Sequence, residues 1–165
     1  MPEPSDYSAE VAGELRRLGV DARLIGALAA LRYRRTPRVT TDVDFLARSL
    51  DGLAEALRAD GYEVRAELDE AGEPYALFVR GRGRRFDVLL AETEYQRTAL
   101  DRATTDAITV EDVIIHKLLA WRSRDIDDIT DILTTDPALD EGYIDHWAHE
   151  WDVADRWAEV RRTRA

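Results

Sequence analysis

The chain has no cysteine, which removes disulfides, thiolate metal sites and cysteine nucleophiles together. Lysine is almost missing as well: of 23 basic residues, Lys117 alone is not arginine. No apolar run reaches membrane-spanning length, and residues 1–10 lack the basic segment and apolar core of a signal peptide, so the expectation is a cytoplasmic protein without membrane contact. Positive charge is in deficit. A net charge of -11 repels nucleic acid and anionic lipid at long range, so any grip on a phosphate chain has to be local. Repeats and low-complexity tracts are absent too. With 45% hydrophobic and 35% charged residues in a length of 165, the chain reads as one globular unit.

Apolar spacing predicts a first helix over residues 8–18, ended by Gly19, and a short buried strand over 22–25. Gly26 then opens an apolar helix over 27–31. Residues 42–46 alternate acid and apolar side chains with the period of a strand, and 51–60 read as a surface helix. Strands over 62–68, 75–80 and 84–90 form a meander, with turn signals between them. From about residue 92 the pattern is helical. Thr109 and Asp112 make a capping-box-like start for a helix through 113–121, Asp125 is a candidate cap for the next, and one or two more helices follow over 141–162. The expected fold is α/β (α+β): a mixed sheet with flanking helices in residues 1–92, and a helical part in 93–165 packed on that core as one compact unit.

Two aspartates one residue apart on a strand, Asp42 and Asp44, project to one side, where mutual repulsion calls for a counter-charge. Oxygen-only ligands favour a hard ion, Mg²⁺ or Mn²⁺. Asp87 is the candidate third ligand, sharing a strand face with Arg85 and Leu89. Two basic clusters, Arg32, Arg34, Arg35 and Arg38, and Arg80, Arg82, Arg84 and Arg85, are open to two readings: a phosphate grip, or a solvated loop and a charge-protected hairpin edge.

The run Leu24-Ile25-Gly26-Ala27-Leu28-Ala29, the run from Arg38 to Leu46 containing Asp42 and Asp44, the Phe86-Asp87-Val88-Leu89 strand, Thr109 to Asp112, and Lys117 to Asp128 together resemble the nucleotidyltransferases of the DNA polymerase β-like superfamily. The abortive-infection (AbiE-type) nucleotidyltransferase toxins are the most similar group. The resemblance implies transfer of a nucleoside monophosphate from an NTP to an acceptor hydroxyl, with Mg²⁺ (or Mn²⁺) held by Asp42, Asp44 and Asp87 as metal ligands and catalytic residues. It implies nucleotide binding by Gly26, Ala27, Arg38, Thr41, Lys117, Arg124 and Asp128, with Asp125 or Asp128 orienting neighbouring groups. Ala27 departs from the Gly-Ser or Gly-Gly common at this turn, so a hydroxyl contact is missing.

As one continuous helix, residues 113–133 would carry Lys117, Trp121, Arg124, Asp128 and Asp131 on a charged stripe separate from the core face. The alternative is a solvated face with Arg124 and Asp128 paired. The string Asp127-Asp128-Ile129-Thr130-Asp131 resembles the aspartate-rich motif of prenyl-chain synthases, but a sheet-forming half is incompatible with their helical bundle. His146 and His149 lack a third ligand and read as surface residues, and His116 as packing. The expected activity is therefore nucleotidyl transfer to RNA (tRNA among the candidates) or protein, as the toxin of a toxin–antitoxin pair with an antitoxin protein as partner. A catalytically weak nucleotide-sensing or protein-binding module of the same fold is the alternative, and an oligomerising structural domain is third.

Overall fold

The structure, a computed structural model, describes residues 4–163. The chain divides into two compact units, residues 1–28 with 40–108 and residues 29–39 with 109–165. The boundary near residue 108 and the transfer of 29–39 to the second unit differ from a division at residue 92.

The first unit is a five-stranded mixed sheet with helices. Its order is β1 (Ala22–Ile25), β2 (Asp44–Ala47), β5 (Arg84–Leu90), β4 (Pro74–Gly81), β3 (Glu63–Leu68). β2 and β5 run parallel and every other pair is antiparallel. Alternation in these strands buries Phe45, Leu77, Val79, Phe86 and Val88 on one face, where α1 (Pro4–Arg17) packs on β1 and β5, and α3 (Leu53–Ala59) on β3. Phe86 sits at the centre, its ring edge-on to Phe45 at 6.3 Å and to Tyr62 at 5.6 Å. Removing such a ring costs about 3–5 kcal/mol. α4 (Glu94–Arg102) starts at a full capping box, in which Thr93 accepts from the Gln96 N–H and Gln96 from the Thr93 N–H.

β2 begins at Asp44, two residues later than its alternation suggests. The reason lies in β1, which ends at Ile25, the partner of Asp44; Gly26 follows with φ +68° and turns the chain away. Asp42 is left in the loop before β2.

The second unit is helical. α5 (Val110–Ala120) packs on α6 (Ser123–Thr134) and α7 (Glu141–Glu150), and α8 (Ala154–Arg162) closes on α6 and α7. Trp157 is buried, its indole N–H donating to Asp145 at 2.8 Å. Thr109 caps α5 as expected, accepting from the Asp112 N–H and donating to its carboxylate at 2.8 Å. Residues 113–133 are not one helix. Trp121 adopts a left-handed conformation, φ 50°, which ends α5. α6 is then capped at Arg122, with Asp125 three residues in as the acceptor for the Arg122 N–H at 3.1 Å. Among the described residues no helix is long and apolar enough to cross a membrane.

Candidate active site

The sheet register builds a row of side chains across the open face of the first unit. Arg65 on β3 is opposite Phe78 on β4, Phe78 opposite Asp87 on β5, and Asp87 opposite Asp44 on β2. Adjacent strands lie about 4.8 Å apart, so the Asp44 and Asp87 carboxylates leave the sheet as direct neighbours. The parallel β2–β5 pairing makes this possible: Asp87 N–H donates to the Val43 carbonyl at 2.8 Å, locking the register.

Gly26, directly after β1 and the first residue of α2 (Gly26–Leu31), faces Asp44. A methyl group built on Gly26 would stand 2.8 Å from Asp44 Oδ2, and its φ of +68° is one that side-chain-bearing residues avoid. Glycine here therefore satisfies two demands, a left-handed turn and the close approach of backbone to carboxylate. Ala27, the next residue, is buried.

Asp42 is exposed in the preceding loop, its N–H donating to Thr40 Oγ1 at 3.3 Å, and Thr41 lies beside it with a long contact of 3.5 Å to its carboxylate. Asp87 is half-buried, and its pKa is raised. Burial is the largest cause; the charges of Arg85 and Arg65 pull it down, and that of Asp42 pushes it further up. The third acid is thus within electrostatic reach of Asp87 although it lies off the strand.

The donor chemistry suits a hard divalent ion: two carboxylates side by side on adjacent strands, and a third whose repulsion a cation would relieve. A preformed cage is not part of the arrangement. Among the described residues no three His, Cys, Asp or Glu side chains converge as a metal-holding group.

The remaining predicted site residues, Arg38, Lys117, Arg124 and Asp128, belong to the second unit. Lys117 is buried and donates to Asp125 at 2.9 Å and to Asp128 at 2.7 Å. Asp128, fully buried, also accepts from Arg34 and from Arg38 Nε at 3.1 Å. Asp131 holds Arg34 Nε at 3.2 Å and the Thr36 N–H at 2.8 Å, while Asp125 takes Arg122 Nε at 2.7 Å. The charged stripe is therefore not separate from the core: its central members are an internal ion network. Arg124 is exposed, and Asp128 is joined to Lys117, Arg34 and Arg38 rather than to Arg124. The hydrogen bonds from Arg122 and Lys117 outweigh the burial of Asp125 and hold its carboxyl at about 2.

Residue-by-residue reading missed Arg34, Arg122 and Asp131 as members of this network, and Arg65 and Phe78 as neighbours of Asp87. The signal for the second pair was present: Arg65 and Phe78 occupy the same alternation phase as Asp87 once the meander is paired in register. His146 and His149 are exposed on α7, as expected of surface residues.

No protein-family model matches the sequence, and no curated protein is similar to it. Solved structures are similar in fold. One is an antigenic nucleotidyltransferase-like protein from Paracoccidioides brasiliensis, with TM-score 0.61 and 17% identity over 98% of this chain and 92% of that one. Another is the antibiotic-resistance factor ANT(2'')-Ia, with TM-score 0.58 and 14% identity over 96% of this chain and 94% of that one. The five-stranded mixed sheet with its helices is thus a nucleotidyltransferase-like fold.

Proposed function

We propose that this chain is a metal-dependent nucleotidyltransferase that moves a nucleoside monophosphate from an NTP to a hydroxyl of RNA (tRNA among the candidates) or protein. The observation that carries the reading is the pairing of Asp44 with Asp87 on adjacent parallel strands, with Gly26 against the Asp44 carboxylate, in a nucleotidyltransferase-like fold.

Asp44 and Asp87, with Asp42, would hold Mg²⁺ (or Mn²⁺), which when bound supplies charge neutralisation for the triphosphate and acidifies the acceptor hydroxyl. The chain's own groups do the rest. The acceptor oxygen attacks the α-phosphorus, a new P–O bond forms as the bond to the bridging oxygen breaks, and pyrophosphate leaves with the bonding pair. Asp87 takes the hydroxyl proton. Gly26 keeps side-chain bulk away from Asp44, leaving room for the phosphates beside it. In the second unit, Arg38, Lys117, Arg124 and Asp128 are assigned to the nucleotide, with Asp128 accepting from both Arg38 and Lys117.

The test is incubation with each labelled NTP, Mg²⁺ and total RNA or lysate protein. Wild type should transfer label, and Asp44→Ala should lose at least about a hundredfold in rate while keeping the wild-type melting temperature. Label transfer by folded Asp44→Ala at the wild-type rate would end the assignment.

The toxin role is part of the proposal: expression alone should slow growth in an Asp44-dependent way, relieved by an antitoxin whose basic surface complements the net charge of -11. Ala27, which stands where the resembled family commonly has serine or glycine, favours a second reading, a nucleotide-sensing or protein-binding module without turnover. NTP binding by calorimetry with no label transfer in any arm would select it.

A further inference from the structure

We propose that the open face of β3, β4 and β5 next to Asp87 is the acceptor subsite, and that it is built for the terminal nucleotide of a single-stranded nucleic acid. This rests on the nucleotidyltransferase reading and extends it to the class of acceptor.

A cavity of about 500 Å³ lies on this face, lined by Arg65, Phe78, Arg80, Arg85 and Asp87 among others. That volume suits a single nucleotide. Phe78 is the direct cross-strand neighbour of Asp87, and the Arg65 guanidinium lies over its ring at 4.2 Å. Together they form a stacking platform one strand away from the carboxylate that takes the proton. Nucleobases stack both on aromatic rings and on guanidinium planes.

The arginines around the platform differ in their commitments. Arg84 is bound to Glu10 and Glu14, and Arg82 reaches Glu14 at 3.5 Å, so half of the basic hairpin cluster is spent on α1. Arg80 faces Glu63 at 3.2 Å and Arg65 faces Glu67 at 3.1 Å, both in exposed pairs that contribute little and yield readily to a phosphate. Arg85 is exposed and, among the described residues, no ion pair holds its guanidinium, while its backbone is pinned by Tyr7, whose hydroxyl donates to the Arg85 carbonyl at 2.9 Å. It occupies the strand face of Asp87, about 7 Å along the chain from it. A fork-shaped donor held on a fixed backbone beside the base is suited to the phosphate of an acceptor's last nucleotides.

The cavity lining itself carries three guanidiniums against two carboxylates, Glu63 and Asp87, in a chain of net charge -11. The global charge opposes tracking along a long polyanion, so the contact is confined to a chain end. A protein hydroxyl would use neither the stacking platform nor the fork of Arg85.

The experiment uses the full chain and two short single-stranded oligonucleotides, RNA and DNA, each with 2-aminopurine as the last base and a free terminal hydroxyl. Stacking should quench the fluorescence of at least one, and the two arms identify the sugar. Phe78→Leu, which keeps an apolar side chain in the sheet, should weaken binding at least about fivefold and raise the KM for the oligonucleotide with the KM for NTP unchanged. With three phosphate contacts the slope of log K against log salt should be about -2, becoming shallower by about 0.7 in Arg85→Ala. Quenching without label transfer would keep the subsite and remove the enzyme. Label transfer to lysate protein, undiminished in Phe78→Leu and with neither oligonucleotide quenched, would keep the enzyme and overturn the subsite.

Discussion

At the scale of single residues, Gly26 carries the sharpest demand. Alanine there would hold a left-handed conformation, costing about 1–2 kcal/mol, and its methyl would meet Asp44 Oδ2 at 2.8 Å, so the carboxylate has to move. Gly26→Ala should lower the melting temperature by roughly 2–8 °C and abolish transfer even though no ligand has been removed. Unchanged melting and turnover would mean the close approach has no role. Ala27 contrasts with it: the residue is buried, so Ala27→Ser should destabilise by burying a hydroxyl.

At the scale of elements, the strands were readable because alternation reports directly on a sheet with one buried face. Asp44 and Asp87 were therefore assigned to strands, and pairing brought them together. The start of β2 was less legible, since it depends on where β1 ends and not on anything within residues 42–46. The break between α5 and α6 was legible in outline, from a helix expected through 113–121 and a cap candidate at Asp125, although Trp121 takes the left-handed conformation that glycine or asparagine usually signals. The ion network was illegible because Arg34 and Asp128 are 94 positions apart, and helix periodicity can place a charge on a face without revealing which distant charge covers it. That network sets the expectation for Lys117. Lys117→Met leaves Asp125 with Arg122 and Asp128 with Arg34 and Arg38, so the loss should be partial, about 1–3 kcal/mol. Asp128→Ala removes a shared carboxylate from Arg34, Arg38 and Lys117 at once, with Arg34 keeping Asp131 and Lys117 keeping Asp125, and should cost about 3–5 kcal/mol. Thermal melts of the two variants check the ranking. A larger loss in Lys117→Met than in Asp128→Ala would show that Lys117, not Asp128, is the hub.

For the whole molecule, acid is the revealing perturbation, because His116 and Asp125 are both held well below their ordinary values. His116 is held down to about 4, by burial first and then by the charge of Lys117. Between its ordinary 6.5 and about 4 the unfolded chain takes up a proton that the folded chain refuses, so stability falls as pH falls through that window. Asp125, at about 2 against an ordinary 3.8, stays ionised in the folded state, and its contribution is lost only on further acidification between those values. Melting temperature should therefore decline in two stages, and His116→Gln should flatten the upper stage while leaving the lower. An unaltered upper slope in His116→Gln would assign that stage to other groups.

The second unit is assembled from residues 29–39 and a segment that begins only at residue 109. On the ribosome this means that Arg34 and Arg38 emerge long before their counter-ion: Asp128 follows Arg34 by 94 residues, a delay of roughly 5–20 s at ordinary elongation rates. During that interval the arginines are without the Asp128 and Asp131 carboxylates that hold them in the folded unit. The ion network that closes over them is a late event in biosynthesis, and the first unit has its full sequence available before it.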